Sequence, residues 1–204
     1  SVFFIPVSLA ALIFYFYPII VLILSSIADR TVPGLITQAA FFAAFIGLAL
    51  ALGPSFDSLD WRGLLGAGIA AMGATMVMIC GAAAARRMDP ITLTFYSQIS
   101  SLPIVLAVMY FAGGPALPEG GVGWAGLGFA AGGYLFGIIF QMLAVRFADP
   151  TPVSMIHNLE PLVTLIIAAV ILGERLSPLQ YAGGGLVLAA VMIAGREMAG
   201  RERT

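Results

Sequence analysis

Seven long apolar segments follow one another through this chain, and they constrain its fold more than any other feature. They run from about Val7 to Ile27, Val32 to Leu52, Gly63 to Ala84, Pro90 to Phe111, Gly123 to Val145, Pro152 to Leu172 and Ser177 to Ala194. A helix needs about 20 predominantly apolar residues to cross a bilayer. The sequence therefore predicts an all-α fold, a polytopic bundle of transmembrane helices with short connections.

Composition supports this interpretation. Hydrophobic residues make up 61% of the 204 positions and charged residues only 9%, whereas soluble domains carry about one quarter charged residues. The net charge is −1 and the sequence has no basic run, so no nucleic-acid partner is expected. Membrane lipid is the expected environment, no cofactor or metal is indicated, and the oligomeric state is left open.

The arginines predict an orientation. Seven lie in the connections after the first, third and fifth segments or in the C-terminal tail, and two lie on the other side. The larger group is Arg30, Arg86, Arg87, Arg146, Arg196, Arg201 and Arg203, and the smaller is Arg62 and Arg175. Because cytoplasmic loops are enriched in positive charge, the C-terminus is predicted to be cytoplasmic.

The first two segments repeat the pattern of the last two. Phe14, Tyr17 and Pro18 align with His157, Glu160 and Pro161, and the corner 29–33 aligns with the corner 174–178. The arginine count puts the two corners on opposite sides, which is typical of an inverted repeat. We predict two five-helix repeats: residues 1–52 hold the last two helices of the first, 61–195 the complete second, and 196–204 a cytoplasmic tail. Three further helices are expected before Ser1.

The C-terminal third carries a recognisable combination of motifs. Leu159-Glu160-Pro161 precedes an apolar helix, then Gly173-Glu174-Arg175-Leu176, Gln180 and Gly183. With this pattern the sequence resembles the EamA branch of the drug/metabolite transporter superfamily. The resemblance implies a ten-helix carrier of the bacterial inner membrane that works by alternating access around a central cavity. It further implies export of small metabolites, such as amino acids or related compounds, with protons as the candidate coupling ion.

Glu160 is the candidate centre of a substrate site. If its helix begins near Pro152, a rise of about 1.5 Å per residue places it roughly 12 Å inside the membrane. An ionised side chain there costs about 2.5 to 3.5 kcal/mol, so Glu160 should face a cavity, be paired or be protonated. It could bind a substrate ammonium group or cycle a proton, with His157 titrating nearby. The alternative is a hydrogen bond to an adjacent helix, with His157 as a packing residue.

Other polar and aromatic residues complete the predicted site. His157, Glu160 and Thr164 share one helical face on a helical wheel, and the repeat sets Tyr17 and Phe14 opposite Glu160 and His157. In the fourth segment Thr94, Ser97, Gln98 and Ser101 share a face by their spacing, and Gln141 lies in the fifth. Hydrogen bonds between helices are the alternative role for these residues. The predicted substrate-binding set is Glu160, His157, Thr164, Tyr17, Phe14, Gln98, Ser101 and Gln141.

Glycine and proline spacing adds local predictions. Gly128-x-x-x-Gly132, Gly133-x-x-x-Gly137 and the run 183–185 permit close helix crossings. Pro18, Pro103 and Pro161 lie inside segments and predict kinks. Capping residues stand before proline at 89–90, 149–150 and 177–178, which predicts helix starts.

The residues do not support an enzyme. The sequence has one histidine, no HExxH motif, and no acidic residue other than Glu160 well inside a segment, so neither a zinc site nor a carboxylate pair is available in the membrane. A non-transporting membrane subunit or scaffold remains the alternative to a carrier.

Overall fold

The structure is a computed structural model that describes residues 4–54, 56, 59–111, 113–114, 117–118, 120–171 and 175–201. Within them every regular element is a helix. The helices are α1 (Val7–Phe14), α2 (Tyr17–Ala28), α3 (Leu35–Leu52), α4 (Trp61–Ala85), α5 (Pro90–Phe111), α6 (Gly120–Phe147), α7 (Pro150–His157), α8 (Glu160–Ile171) and α9 (Pro178–Arg201). Gly173 and Glu174 of the second corner and residues 202–204 of the predicted tail lie outside the described residues.

The predicted bundle of transmembrane helices is confirmed. Seven stretches of the described chain are long and apolar enough to cross a membrane: Val7–Ala28, Leu35–Leu52, Trp61–Ala85, Pro90–Phe111, Gly120–Phe147, Pro150–Ile171 and Pro178–Gly200. The last extends past its predicted end at Ala194 because hydropathy marks where the membrane ends, and a helix can continue beyond it.

Two of the seven spans are broken near their middle. One consists of α1 and α2, the other of α7 and α8. Pro18 and Pro161 each take the second position of the second half-helix. Proline lacks an amide hydrogen, and its ring clashes with the carbonyl four residues earlier. Those carbonyls belong to Phe14 and His157, where the first half-helices end.

Tight turns join the half-helices at both breaks. The Phe16 amide donates to the Ile13 carbonyl at 3.2 Å, and the Leu159 amide donates to the Ile156 carbonyl at 2.9 Å, three residues back in each case. The predicted kinks are therefore complete breaks in these two spans. At Pro103 α5 continues without a break, so the kink there stays a prediction.

All three predicted helix starts are found, with different capping. The Asp89 carboxylate accepts from the Thr92 amide at 3.0 Å. Ser177 and Gln180 form a capping box, in which the Gln180 amide donates to Ser177 Oγ at 3.3 Å and the Ser177 amide donates to Gln180 Oε1 at 2.8 Å. Asp149 holds the N-cap position of α7 without a capping hydrogen bond from its side chain.

The described residues fall into two compact units, Ser1–Ile79 with Asp149–Thr204, and Cys80–Ala148. In the first unit α3 and α9 pack along their length. Near the start of α3 the contacts include Ala40, Phe41, Ala44, Ala190 and Ala194, and nearer its end Leu48, Ala51 and Val187. Residue numbers rise along α3 as they fall along α9, so the two helices are antiparallel.

Glycine allows α3 and α9 to approach closely. A Cβ atom built on Gly183 would lie 2.5 Å from the Gly47 carbonyl oxygen and 2.6 Å from the Ala51 amide nitrogen. The close crossing predicted for the run 183–185 is thus confirmed at its first glycine. Among the described residues the crossings predicted for α6 are not found, since a Cβ at any of four positions would meet no described atom within 4 Å: Gly128, Gly132, Gly133 and Gly137.

The second unit contains α5, α6 and the last turns of α4. Helix α5 packs against α6. Gly81 of α4 lies against Met142 of α6, where an added Cβ would come within 3.2 Å of the methionine Cε. This unit carries the predicted polar face of the fourth span.

Candidate functional site

The two helix breaks meet in the first unit. Helix α2 packs against α7, and the rings of Tyr17 and His157 are 6.4 Å apart in an edge-on arrangement. The Phe14 ring lies 5.5 Å from Tyr17. Tyr17 is only 4% exposed, so it forms the buried link between the breaks. Tyr17 and His157, which the sequence repeat singled out in different copies, are thus neighbours in space.

Glu160 begins the second half-helix of its span. Its carboxylate lies in the first turn of α8, where the positive end of the helix dipole favours a negative charge. The hydroxyl groups of Tyr15 and Tyr17 lie close enough to Glu160 to interact with its charge. Glu160 is otherwise exposed, meaning that the described residues of this chain leave it uncovered. Glu160 therefore has two tyrosine side chains beside it and is open to a ligand.

His157 closes the first half-helix of the same span. Its Nδ1 lies 2.9 Å from the Val153 carbonyl oxygen. A carbonyl can only accept, so Nδ1 carries the proton and Nε2 is left as the nitrogen available to a ligand. The carbonyl oxygen of His157 has no donor four residues on, because residue 161 is proline. Likewise the carbonyl oxygen of Phe14 has no donor four residues on, because residue 18 is proline.

Tyr15 is the site residue that sequence reasoning missed. On a continuous helix residues 15 and 17 point about 200° apart, so a wheel places them on opposite faces. The break between α1 and α2 removes that restriction. The repeat could have indicated the break, since Pro18 aligns with Pro161. By the same alignment Tyr15 corresponds to Asn158, which is 3% exposed and donates weakly to Met155 Sδ at 3.6 Å.

Thr164 lies one turn after Glu160 on α8. Its hydroxyl donates to the Glu160 backbone carbonyl at 3.1 Å, and its side chain is exposed. The two residues share a half-helix, so the common face predicted for them is retained. His157 belongs to the other half-helix and joins the group through Tyr17, which corrects the single helical wheel used for all three.

The other predicted site residues belong to the second unit. Gln98 and Gln141 are half-buried. Ser101 donates its hydroxyl hydrogen to the Gln98 carbonyl at 2.8 Å, and Thr94 donates to the Pro90 carbonyl at 2.8 Å. These two hydroxyls bond to their own helix rather than to a neighbouring one. A role for Gln98, Ser101 and Gln141 in binding stays a prediction.

Comparison with known proteins gives a family and a fold. The model of the EamA-like transporter family matches residues 61–196. One solved crystal structure of another protein aligns with a TM-score of 0.75 at 17% identity, covering 95% of this chain and 70% of that chain. Identity at this level shows a common fold and nothing more. Among curated proteins none matches the sequence.

Proposed function

We infer that this chain, which belongs to the EamA-like transporter family, carries a small metabolite across the membrane by alternating access and holds it at the two helix breaks. Its membership in the family and its seven apolar helices make it a multi-pass membrane protein of the transporter class. The proposal adds the place of the site, the class of substrate and the coupling ion.

The paired helix breaks are the observation that carries the proposal. Broken helices at corresponding positions of an inverted repeat typically form the substrate site of a carrier, because they present helix termini and free carbonyls near the middle of the membrane. Here the carbonyls of Phe14 and His157 lack their helical donors, and α2 and α8 begin beside them. Irregular backbone at this depth is tolerated where it lines a cavity.

The side chains at the breaks favour a substrate with an ammonium group. The Glu160 carboxylate would pair with it, the free carbonyls would accept its N–H hydrogens, and the ring of Tyr17 or Phe14 would attract the charge. The amino-terminal end of α2 is suited to a carboxylate. An amino acid or a related zwitterion would supply both the ammonium group for Glu160 and the carboxylate for the start of α2.

Glu160 is the proposed proton carrier. Tyr15 interacts with its carboxylate, and the α8 dipole favours its negative charge. A proton can replace the substrate ammonium group as its partner, which would make substrate release and proton uptake alternate at one carboxylate. His157 Nε2 is a second proton acceptor beside Tyr17. The proposed direction of transport is outward, by resemblance to the family.

The wider architecture is proposed on the same basis. We assign residues 1–52 to the end of one five-helix repeat and 61–195 to a second, inverted one. In this arrangement the two repeats move against each other around the breaks, as inverted repeats do in other carriers. The C-terminus would be cytoplasmic and the membrane the bacterial inner membrane. We also propose Gln98, Ser101 and Gln141 of the second unit as substrate-binding residues.

Flux in proteoliposomes tests the proposal. The purified chain is reconstituted with an imposed pH gradient, and uptake of a mixture of radiolabelled amino acids is measured for wild type and for Glu160→Gln. A hydrogen bond to a charged group contributes about 1.5 to 3 kcal/mol, so Glu160→Gln should lower flux about tenfold or more and abolish its response to the gradient.

Asp60→Asn is the matched control. Asp60 is another carboxylate, which accepts from the Arg62 amide at 2.8 Å, and asparagine keeps that acceptor. Its flux should equal that of wild type. Equal flux in Glu160→Gln and Asp60→Asn would refute the site at the breaks. Absence of flux for every amino acid in wild type would favour the non-transporting subunit instead.

A further inference from the structure

A groove lies in the first unit between α4 and the break that separates α1 from α2. Its volume is about 580 Å³. Ile13, Phe16 and Ile20 form one wall, and residues of α4 from Leu64 to Met72 form the other. Phe45 of α3 also lines it, and its ring packs edge-on against the Phe16 ring at 5.3 Å. No residue of the candidate site at the breaks is among the lining residues, so the α4 groove is a separate feature.

The helix break is the physical cause of the α4 groove. Before the break α1 packs tightly on α4, because a Cβ built on Gly63 would lie 2.7 Å from Ile5 Cγ2, and Ile5 shares an apolar cluster with Ala67. At the level of the break this contact ends, since a Cβ built on Gly68 would meet no described atom within 4 Å. The space beside α4 is therefore open where the chain turns at Phe16.

The lining of the α4 groove is entirely apolar. All ten lining residues are aliphatic, phenylalanine, methionine or glycine. Leu65, Ile69 and Met72 of α4 are 56%, 71% and 45% exposed, and α4 is long and apolar enough to cross a membrane. These side chains offer a polar ligand no hydrogen bond in return for its lost hydration. The lining therefore fits the acyl chain of a membrane lipid.

A positive charge stands at one end of the α4 groove. Arg62 is exposed in the first turn of α4, and its guanidinium group lies 5.8 Å from the centre of the Trp61 ring. The Asp60 carboxylate accepts from the backbone amide of Arg62 at 2.8 Å, so that carboxylate is engaged at the start of the helix. Tryptophan is enriched at the level of lipid headgroups, and a guanidinium group binds phosphate with two hydrogen bonds. This end of the groove is suited to a phospholipid headgroup.

The arginine and the apolar lining lie on one face of α4. Arg62, Leu65, Ile69 and Met72 follow the spacing i, i+3, i+7 and i+10, which places them within about 80° of one another on a helical wheel. A rise of about 1.5 Å per residue puts Met72 roughly 15 Å from Arg62 along the helix. Half of a hydrocarbon core of about 30 Å has the same length. A lipid whose phosphate is held at Arg62 would thus reach the far end of the groove within one leaflet.

We propose that the α4 groove binds an anionic phospholipid. Arg62 pairs with the phosphate, Trp61 lies at the level of the headgroup, and one acyl chain runs along Leu65 and Ile69 to Phe16. The single positive charge favours an anionic headgroup over a zwitterionic one, which brings an ammonium group of its own. The end of the bound chain contacts the turn between the half-helices α1 and α2. The site binds its lipid whether or not the chain transports.

Native mass spectrometry of the full chain tests the charge at this site. Delipidated protein in detergent is titrated with dioleoyl phosphatidylglycerol or dioleoyl phosphatidylcholine, and the dissociation constant of the first bound lipid is measured. Wild type should bind phosphatidylglycerol about fivefold more tightly, the factor that one arginine contributes near an anionic lipid surface. Arg62→Gln should remove this preference. Arg30→Gln, the matched control, removes an arginine that does not line the groove and should keep it.

Gly68→Leu tests the groove itself. Its side chain would occupy the space of the acyl chain, and the binding of both lipids should weaken about tenfold or more, because the methylene groups of the lipid are no longer buried there. Gly73→Leu is the matched control on the same helix. A Cβ at Gly73 would also meet no described atom within 4 Å, but Gly73 does not line the groove, so this variant should bind both lipids as wild type does. Circular dichroism checks that each variant is folded.

Several results would overturn the proposal. One is equal affinity of wild type for the two lipids, and another is a preference for phosphatidylglycerol that survives Arg62→Gln. A third is equal lipid binding by Gly68→Leu and Gly73→Leu. A dimer that forms without lipid and is lost in Gly68→Leu would assign the groove to a second copy of the chain instead.

Discussion

Replacing Gly183 by alanine should push α3 and α9 apart. The new Cβ would lie 2.5 Å from the Gly47 carbonyl oxygen and 2.6 Å from the Ala51 amide nitrogen. Both are backbone atoms of a helix, so neither can rotate away as a side chain would. Restoring an ordinary contact requires the helices to separate by about 1 Å. Overpacking of this kind costs about 1 to 3 kcal/mol, against a gain of up to about 1 kcal/mol from the helix propensity of alanine.

Gly185→Ala is the matched control, two residues along the same helix. A Cβ at Gly185 meets no atom of the described residues within 4 Å, so this variant receives the gain in helix propensity without the clash. The free energy of unfolding of Gly183→Ala should therefore fall about 1 to 3 kcal/mol below that of Gly185→Ala. The measurement is unfolding by sodium dodecyl sulfate in mixed micelles, followed by circular dichroism.

Gly47→Ala tests the same contact from the other helix. Its Cβ would lie 2.8 Å from the Gly183 carbonyl oxygen and 2.8 Å from Val187 Cγ2, so it too should be less stable than the control. If Gly183→Ala and Gly185→Ala unfold at the same detergent fraction, the reasoning about this crossing is refuted.

Three further predictions follow from the fold. Phe41 is 1% exposed and Phe42 is 53% exposed, so Phe41→Ala should lower the free energy of unfolding by about 3 to 5 kcal/mol and Phe42→Ala much less; equal losses would contradict the assigned core. Pro161→Ala supplies an amide donor for the His157 carbonyl and lets the two half-helices join, so flux should fall; unchanged flux would show that the break is dispensable. Asp89→Ala should lower the free energy of unfolding by about 1 kcal/mol because its N-cap bonds are lost, whereas Asp89→Asn should lower it less. Equal losses of stability in the two variants would show that the Asp89 side chain does not cap α5.

The sequence was sufficient to predict the spans because the bilayer imposes a minimum apolar length. The capping residues before Pro90, Pro150 and Pro178 also predicted helix starts correctly, since that signal is local. The breaks were harder to predict. Pro103 and Pro161 have similar apolar surroundings in the sequence, yet α5 continues through one and the chain breaks before the other. The alignment of Pro18 with Pro161 was the available evidence that these two act as a pair.

The internal repeat also made part of the candidate site predictable. Alignment of the repeats selected Tyr17 and His157, whose rings are neighbours in the structure. It did not select Tyr15, because a continuous helix would turn that residue away from Glu160. The glycine pairs of α6 led to a contact that is not found among the described residues. Gly128 and Gly132 have the spacing of a close crossing, but spacing alone does not supply a neighbouring helix.

The proposed interaction of Tyr15 with Glu160 across the two breaks is the central claim, and a double-mutant cycle tests it most directly. Flux is measured for wild type, Tyr15→Phe, Glu160→Gln and the double variant in the same proteoliposomes. If the two side chains act together, Tyr15→Phe should lower flux in the wild-type background and have little further effect beside Glu160→Gln, a coupling of about 0.5 to 3 kcal/mol. Independent effects that simply multiply in the double variant would contradict the account.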